Sequence, residues 1–324
     1  MRAPLADTSI SVPAEWAPQK AIWTAWPASP AEWNGDLAAP RRDLAALVHA
    51  LAATNHVRLL VNSAEAESSA RAELGQEAEL VRARYGDIWL RDTGPIFARN
   101  QDGAVALTFR KNGWGGKFDF PDDATVAGEV AALAGVTTQS FDFVLEGGAV
   151  DHDGEGTTLA TRQTLLNANR NGWNQHQAET ALHRAFGARK IIWLDQGLAN
   201  DHTDGHIDNV ARFVAPGRVV CQSPSGTDDP NADVLESVAQ QLAAATDAHG
   251  RKLDVARIPS PGLLANSGGD ASPASHMNFV IANGIVVVPV YSTRAAPFAL
   301  EALQGVFPTR KIVGLSSHGL LGSG

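Results

Sequence analysis

Residues 202–223 read HTDGHIDNVARFVAPGRVVCQS. A polar, chemically loaded run leads into an apolar strand-like run, an Ala-Pro-Gly turn follows, and a second apolar run returns. A glycine-containing turn between two such runs is a hairpin signal. The design recurs three times. DIWLRDTGPIFARNQDGAVALTFR begins at Asp87 and turns at Asp-Gly. FVLEGGAVDHDGEGTTLATR begins at Phe143 and turns at Gly-Glu-Gly. SHMNFVIANGIVVVPVY begins at Ser275 and turns at Ala-Asn-Gly. Measured at Asp92, Gly147, Ile207 and Asn278, the copies are roughly 55 to 70 residues apart, a spacing that marks repeat architecture.

Helical patterns lie between the copies. Arg41–Thr54 (RRDLAALVHALAAT), Gln175–Phe186 and Asp233–His249, the last after an Asp229-Pro230 turn, carry apolar residues at helical spacing. Further strand-like runs are Val57–Val61 and Ile191–Leu194. A hairpin plus a helix cannot bury its own apolar face, so such units close into a ring with their polar runs on the axis. An α/β sandwich whose hairpins merely look alike is the alternative. In the ring, a fifth copy falls at or past Gly324. The expectation is one α/β domain over residues 1–324.

Composition narrows the function. The 324 residues are 44% hydrophobic and 19% charged, ordinary for a soluble globular chain with a sizeable core. A net charge of −9 argues against a nucleic-acid partner and mildly favours approach of a small cation. A single cysteine, Cys221, allows no internal disulfide, and the N-terminal stretch has no apolar h-region. The longest apolar run, Ile285–Val290, is too short to span a membrane. A cytoplasmic location with no membrane partner is the expectation.

Four places can carry chemistry. An Asp inside the aromatic, apolar run DIWLRDTGP is costly unless it meets a cation or donors. Read as a strand, that run turns Trp89 and Arg91 to one side and Leu90 and Asp92 to the other; pairing of Asp92 with Arg91, or capping of the Thr-Gly-Pro turn, is the bland reading. Glu146 before Gly147-Gly148 suggests close backbone approach, or a solvated bulge. In the DHTDGHIDN run, His206 and Asp208 share a face if the chain is extended, a general acid/base pair. That run can also be a polar turn, or with His202 a metal site. Trp16, Trp23, Trp26 and Trp114 offer faces for guanidinium planes, although most tryptophans simply pack. The glycines around Trp114 read as a flexible rim loop. Cys221, in an apolar strand, reads as buried and inert.

Taken together, PAEWAPQKAIWTAWP, WLRDTGP, WGGK, LEGG, DGEGT, TDGHIDN and NFVIANGIVVVPV, in this order over almost the whole chain, resemble the agmatine deiminase and bacterial peptidyl-arginine deiminase family of guanidine-modifying enzymes. The resemblance implies a five-bladed α/β propeller with its site on the axis, a small guanidine substrate, and neither metal nor organic cofactor. A cysteine thiolate attacks the guanidine carbon, ammonia leaves, and water releases a ureido product. Asp92 and Asp208 then look like the carboxylates that hold the guanidinium, Glu146 a further acidic partner and His206 the proton donor and base. Trp89 looks like a pocket wall, with Trp114, Gly147, His202 and Asp204 around the substrate. His202 stands where relatives commonly carry an acidic residue, and Tyr291–Phe298 is shorter than the usual family loop. The family cysteine follows a glycine-rich run that SSHGLLGSG approaches, which places the nucleophile beyond Gly324. The 324-residue form is then expected to bind without turnover, agmatine is the first substrate expectation with arginine or peptidyl-arginine as the alternative, and a homodimer is suggested by relatives.

Overall fold

The computed structural model describes residues 10–321 except 34, 266–268 and 292. Fifteen strands among the described residues form five three-stranded sheets. β1 (Ile22–Ala25), β2 (Val57–Val61) and β3 (Glu79–Arg82) make the first; β4 (Ile96–Asn100), β5 (Gly103–Arg110) and β6 (Thr137–Val144) the second. β7 (Val150–His152), β8 (Thr157–Thr161) and β9 (Lys190–Leu194) make the third; β10 (Ala211–Ala215), β11 (Arg218–Ser223) and β12 (Asp254–Pro259) the fourth. β13 (Val280–Ile281), β14 (Ile285–Val290) and β15 (Lys311–Ser316) make the fifth.

Sheets two to five repeat one plan. An antiparallel hairpin is followed by a helix, and the third strand returns parallel to the second. Parallel pairing requires such a crossover. The crossover helices are Asp123–Leu133, Gln175–Phe186, Ala232–Ala244 and Ala296–Val306. Gln175–Phe186 shows why the sequence stops and starts there. Asn174 and Gln177 form a reciprocal capping box, Gly187 ends the helix in the left-handed conformation, and Ala178, Leu182, Ala185 and Phe186 form the buried stripe.

The apolar clusters close the ring. Leu107, Phe109 and Leu182 join the second and third sheets, and Leu159, Leu194, Phe213 and Cys221 join the third and fourth. Val220, Ile258, Phe279 and Val288 join the fourth and fifth, Leu59, Val61, Ile285 and Val287 the fifth and first. Leu60 and Val81 meet Val126 and Val130 of the helix in the second unit. The hairpin repeats thus mark four blades, and the remaining sheet, the first, is supplied by residues 22–82 rather than by a copy past Gly324. Its three strands are all parallel and joined through helices, so it lacks the hairpin turn by which the other four are recognised. Residues 322–324 of the glycine-rich approach lie outside the described residues. Among the described residues, no helix is long and apolar enough to cross a membrane.

Candidate active site

Three short helical turns, one before each of β4, β7 and β10, pack on one another: Leu90–Thr93, Gly147–Ala149 and Ile207–Asn209. The strand reading of DIWLRDTGP is corrected here, because Asp92 and Thr93 amides bond back to the Trp89 carbonyl and coil the segment. Likewise His206 precedes, and Asp208 lies within, a 3-10 turn rather than an extended strand. The turns still deliver the side chains to one place. An ideal Cβ on Gly148 would lie 2.6 Å from Asp92 Oδ1, 2.6 Å from Asp208 Oδ2 and 2.8 Å from His206 Nδ1. Only a residue without a side chain leaves room for this convergence. Gly147 serves the same packing, since its Cβ would lie 2.0 Å from the Arg91 carbonyl oxygen.

The geometry is that of a buried, charged cluster. His206 Nδ1 is 3.7 Å from Asp92 Oδ1 and its Nε2 is 3.9 Å from Glu146 Oε2. His206 is 1% exposed. Burial alone would depress its pKa, but Asp92, Asp208 and Glu146 outweigh that and raise it. Asp208 is raised, first by burial and also by Asp92, with His206 and Arg91 opposing. Three buried atoms, Glu146 Oε2, His206 Nε2 and Asp208 Oδ1, have no hydrogen-bond partner within the protein.

Other side chains hold the cluster in place. Trp114 is buried and donates from Nε1 to Asp92 Oδ2 at 2.8 Å, and the Gly148 amide donates to Oδ1 at 2.8 Å. The Trp114 segment is therefore a built wedge rather than a flexible rim. Trp114 adopts φ +52°, and a Cβ on neighbouring Gly113 would lie 1.8 Å from the Phe118 carbonyl oxygen. Lys111 Nζ bridges the Asp92 and Leu145 carbonyls at 2.6 Å each; burial lowers its pKa to about 8. Arg170 donates from Nε to Glu146 at 2.8 Å and from Nη1 to Asp204 at 2.7 Å. Asp204 also accepts from Lys117 at 2.6 Å and Asn169 at 2.9 Å, so its carboxylate braces Arg170 instead of facing the cluster. Burial would raise its pKa; the bonds from Lys117, Asn169 and Arg170 hold it low.

Trp89 and His202 line the cavity of about 1610 Å³ that also reaches Asp92, Trp114, Gly147, His206 and Asp208. His202 is exposed, with its ring edge on Phe118. Asp92, His206 and Asp208 offer atoms within 4.8 Å of one another, a spacing a cation accepts; His202 is not in that set. Of the other tryptophans, Trp26 is fully buried on Ser69, Trp23 lines the cavity under Arg58, and Trp16 packs on the core. Cys221 is buried on β11, with burial pushing its thiol up to about 11.

Sequence reasoning missed Arg170 and Glu15. Arg170 sits in NANRNGWN, which has no periodicity to read. Glu15 reaches Arg212 across 197 positions and also pairs with Arg91 at 3.1 Å, which in turn lies 3.9 Å from Asp208.

Comparison with known proteins agrees with this geometry. The model of the Porphyromonas-type peptidyl-arginine deiminase family matches residues 11–324. The agmatine deiminase of Ectopseudomonas mendocina is 35% identical, over 96% of this chain and 91% of its own. The structure of the agmatine deiminase of Enterococcus faecalis superposes with a TM-score of 0.92 at 30% identity, over 98% of this chain and 93% of that one. A Cys-to-Ser variant of C. jejuni agmatine deiminase with substrate bound superposes at 0.90 with 27% identity, over 100% of this chain and 96% of that one. The overall fold is thus shared with these structures, and this chain belongs to the Porphyromonas-type peptidyl-arginine deiminase family, which it matches over nearly its whole length.

Proposed function

We propose that this protein is an agmatine deiminase, hydrolysing the guanidine of agmatine to N-carbamoylputrescine and ammonia. One observation carries the reading: the oxygens Glu146 Oε2 and Asp208 Oδ1 are buried without partners, with Glu146 beside Nε2 of His206 and Asp208 and Asp92 beside its Nδ1. Unmet buried acceptors require donors, and a guanidinium is a flat fork of N–H donors that carboxylates grip from either side. Asp92 and Asp208 hold it, and Glu146 takes a further N–H. We read the 324 residues as one catalytic domain.

The chemistry follows from these positions. A thiolate from the family's C-terminal cysteine adds to the guanidine carbon, as the resemblance implies. His206, kept protonated by its carboxylate neighbours, gives a proton to the departing nitrogen, and the C–N bond breaks to release ammonia. His206 then takes a proton from water as it adds to the amidino carbon, and expulsion of the thiolate leaves the ureido product. Cys221 cannot serve, being buried in the apolar core with a raised pKa.

The far end of the ligand favours agmatine over arginine. An arginine carboxylate needs a free cation, and the lining cations Arg91 and Lys117 are engaged by Glu15 and Asp204. Lys111 is held by two carbonyls, and Arg110 lies exposed beside Asp142. The lining carries Glu32, Asp87, Asp119 and Asp201 besides the cluster itself. The test is to incubate the protein with agmatine, free arginine and a peptidyl-arginine, and to assay ureido product. Turnover of agmatine alone is expected. Turnover of either arginine substrate in preference overturns the substrate, and silence on all three makes the protein a guanidine binder only.

A further inference from the structure

Residues 11–19 fasten a strap of chain to the ring. Ser11 pairs with Arg99 on β4 through two backbone bonds, at 2.9 and 2.8 Å. Gln19 donates from Nε2 to the Ile281 carbonyl at 2.8 Å and from its amide to Asn283 at 2.9 Å, and its Oε1 accepts from Asn55 at 3.1 Å. Between these ties, the Glu15 carboxylate accepts the Ile281 amide at 2.8 Å. Arg91 docks on it fork to fork, Nη1 on Oε2 at 3.1 Å and Nη2 on Oε1 at 3.4 Å, and Arg212 also donates to Oε2.

The two arginines differ in how firmly they are held elsewhere. Arg212 is fully buried, with Asp151 at 3.1 Å and the Met277 and Phe279 carbonyls at 3.3 and 3.0 Å. Arg91 is half-buried and lines the cavity, and its other hydrogen bond goes to the Phe279 carbonyl at 3.2 Å. It is the neighbour of Asp92 in the turn Leu90–Thr93, and its Nε lies 3.9 Å from Asp208 Oδ2, beyond hydrogen-bond reach. Asp208 Oδ1 has no partner. Arg91 is thus a guanidinium of the protein's own, a short swing from a carboxylate that is to grip the guanidinium of a ligand.

We propose that Glu15 is a positioning residue for the reaction: by gripping the Arg91 guanidinium, it keeps the Asp208 carboxylate open to the guanidinium of the substrate. This rests on the guanidine reading of the clamp. Once Glu15 loses its charge, Asp208 is the carboxylate already beside Arg91. The internal pair then occupies oxygens the ligand needs, and it holds Asp208 ionised more firmly. Affinity falls while Asp208 becomes the stronger acid, a combination that mere loosening of the strap does not produce. The charged groups facing Asp208 are Arg91 and Asp92 of the turn Leu90–Thr93, His206 before its own turn and Arg212 of β10, with Glu146 on the other side of His206. Removing Glu15 releases Arg91 among these, because Arg212 keeps Asp151.

The experiment measures binding of n-butylguanidine by titration calorimetry across pH 5 to 9, on wild type, Glu15→Gln and the double variant Glu15→Gln with Arg91→Gln, each checked for folding by far-UV dichroism. The double variant removes both members of a charge pair, which is milder on the fold than stranding one. At pH 8, Glu15→Gln should bind about 10-fold or more weakly, the scale of one charge-assisted contact. The double variant should recover most of that loss, since the competitor is gone. The pH below which binding falls off should move down in Glu15→Gln and up past wild type in the double variant. Wild-type affinity in Glu15→Gln, or a double variant that binds no better than Glu15→Gln, overturns the proposal and leaves Glu15 as a brace of the strap. If wild type binds no n-butylguanidine, the guanidine reading itself fails and this role falls with it.

Discussion

Arg170 Nε lies 2.8 Å from Glu146 Oε1, with the two side chains 1% and 5% exposed. Glu146 thus spends one oxygen on a buried cation and leaves the other, Oε2, without a hydrogen-bond partner 3.9 Å from His206 Nε2. Removing the cation leaves a buried carboxylate unpaired, which typically costs about 3–5 kcal/mol. Arg170→Ala is expected to lose stability on that scale in urea unfolding at pH 7. Arg170→Lys should recover only part, because a single ammonium cannot reach Glu146, Asp204 and the Thr203 carbonyl together.

Gly148→Ala tests the crowding of the cluster. Its added Cβ would lie 2.6 Å from two carboxylate oxygens, so Asp92 and Asp208 must part. Gly148 is not among the positive-φ positions, so alanine fits the backbone itself. Guanidine affinity should drop by about 100-fold or more, the scale of two lost charge-assisted contacts, while far-UV dichroism stays native. Binding at wild-type strength would contradict the convergence described above.

Much of this was legible in the sequence, and the failures have physical causes. The four hairpins were readable because a two-stranded turn needs glycine at fixed places, and Gly103, Gly156 and Gly217 do adopt positive φ there. The N-terminal sheet was not, because a parallel sheet joined by helices leaves no turn signature. Asp92 was found as a carboxylate inside an apolar run, Glu146 by the two glycines that follow it, and His206 and Asp208 within a polar run, while the strand reading of Asp92, His206 and Asp208 was wrong. Four residues are too few to separate a strand from a helical turn when one carbonyl, that of Trp89, collects two amides. Glu15 and Arg170 were invisible because their partners are tertiary: Arg212 lies 197 positions from Glu15.

Glu15 gives a stability prediction with a defined pH window. Burial would raise its pKa, but Arg212 and Arg91 outweigh that and lower it to about 2 from an ordinary 4.5. A depressed carboxylate stabilises the fold above its unfolded pKa and loses that contribution as pH falls through the folded value. Glu15→Gln should therefore cost about 3 kcal/mol at pH 7. The gap between variant and wild type in unfolding free energy should close between pH 4.5 and about 2. A gap that does not change over that range would show that the ion pairs with Arg91 and Arg212 are not its source.

Protonation should also govern binding. Asp208 is raised to about 6 by burial, with Asp92 adding and His206, Arg91 and Arg212 opposing. Below that pH it is neutral and grips a cation poorly. Affinity for n-butylguanidine, whose guanidinium is its only charge, is expected to be flat above pH 7 and to fall by up to about tenfold per unit below 6. Affinity that rises on acidification would contradict an ionised Asp208 in the clamp.

The cluster of Asp92, His206 and Asp208 also has the spacing of a cation site. A guanidine clamp needs no metal. Elemental analysis of the protein should show less than stoichiometric zinc, manganese or iron, and chelator treatment should leave ureido production unchanged. Loss of activity with a chelator and recovery with one metal would favour metal-assisted hydrolysis instead.

A crystal structure of the protein soaked with agmatine is the most direct measurement. The guanidinium should lie between Asp92 and Asp208, with its nitrogens at hydrogen-bond distance from both carboxylates and from Glu146, and its carbon beside His206. A guanidinium seated elsewhere in the cavity, or a metal ion held by Asp92, His206 and Asp208 in its place, would contradict the clamp.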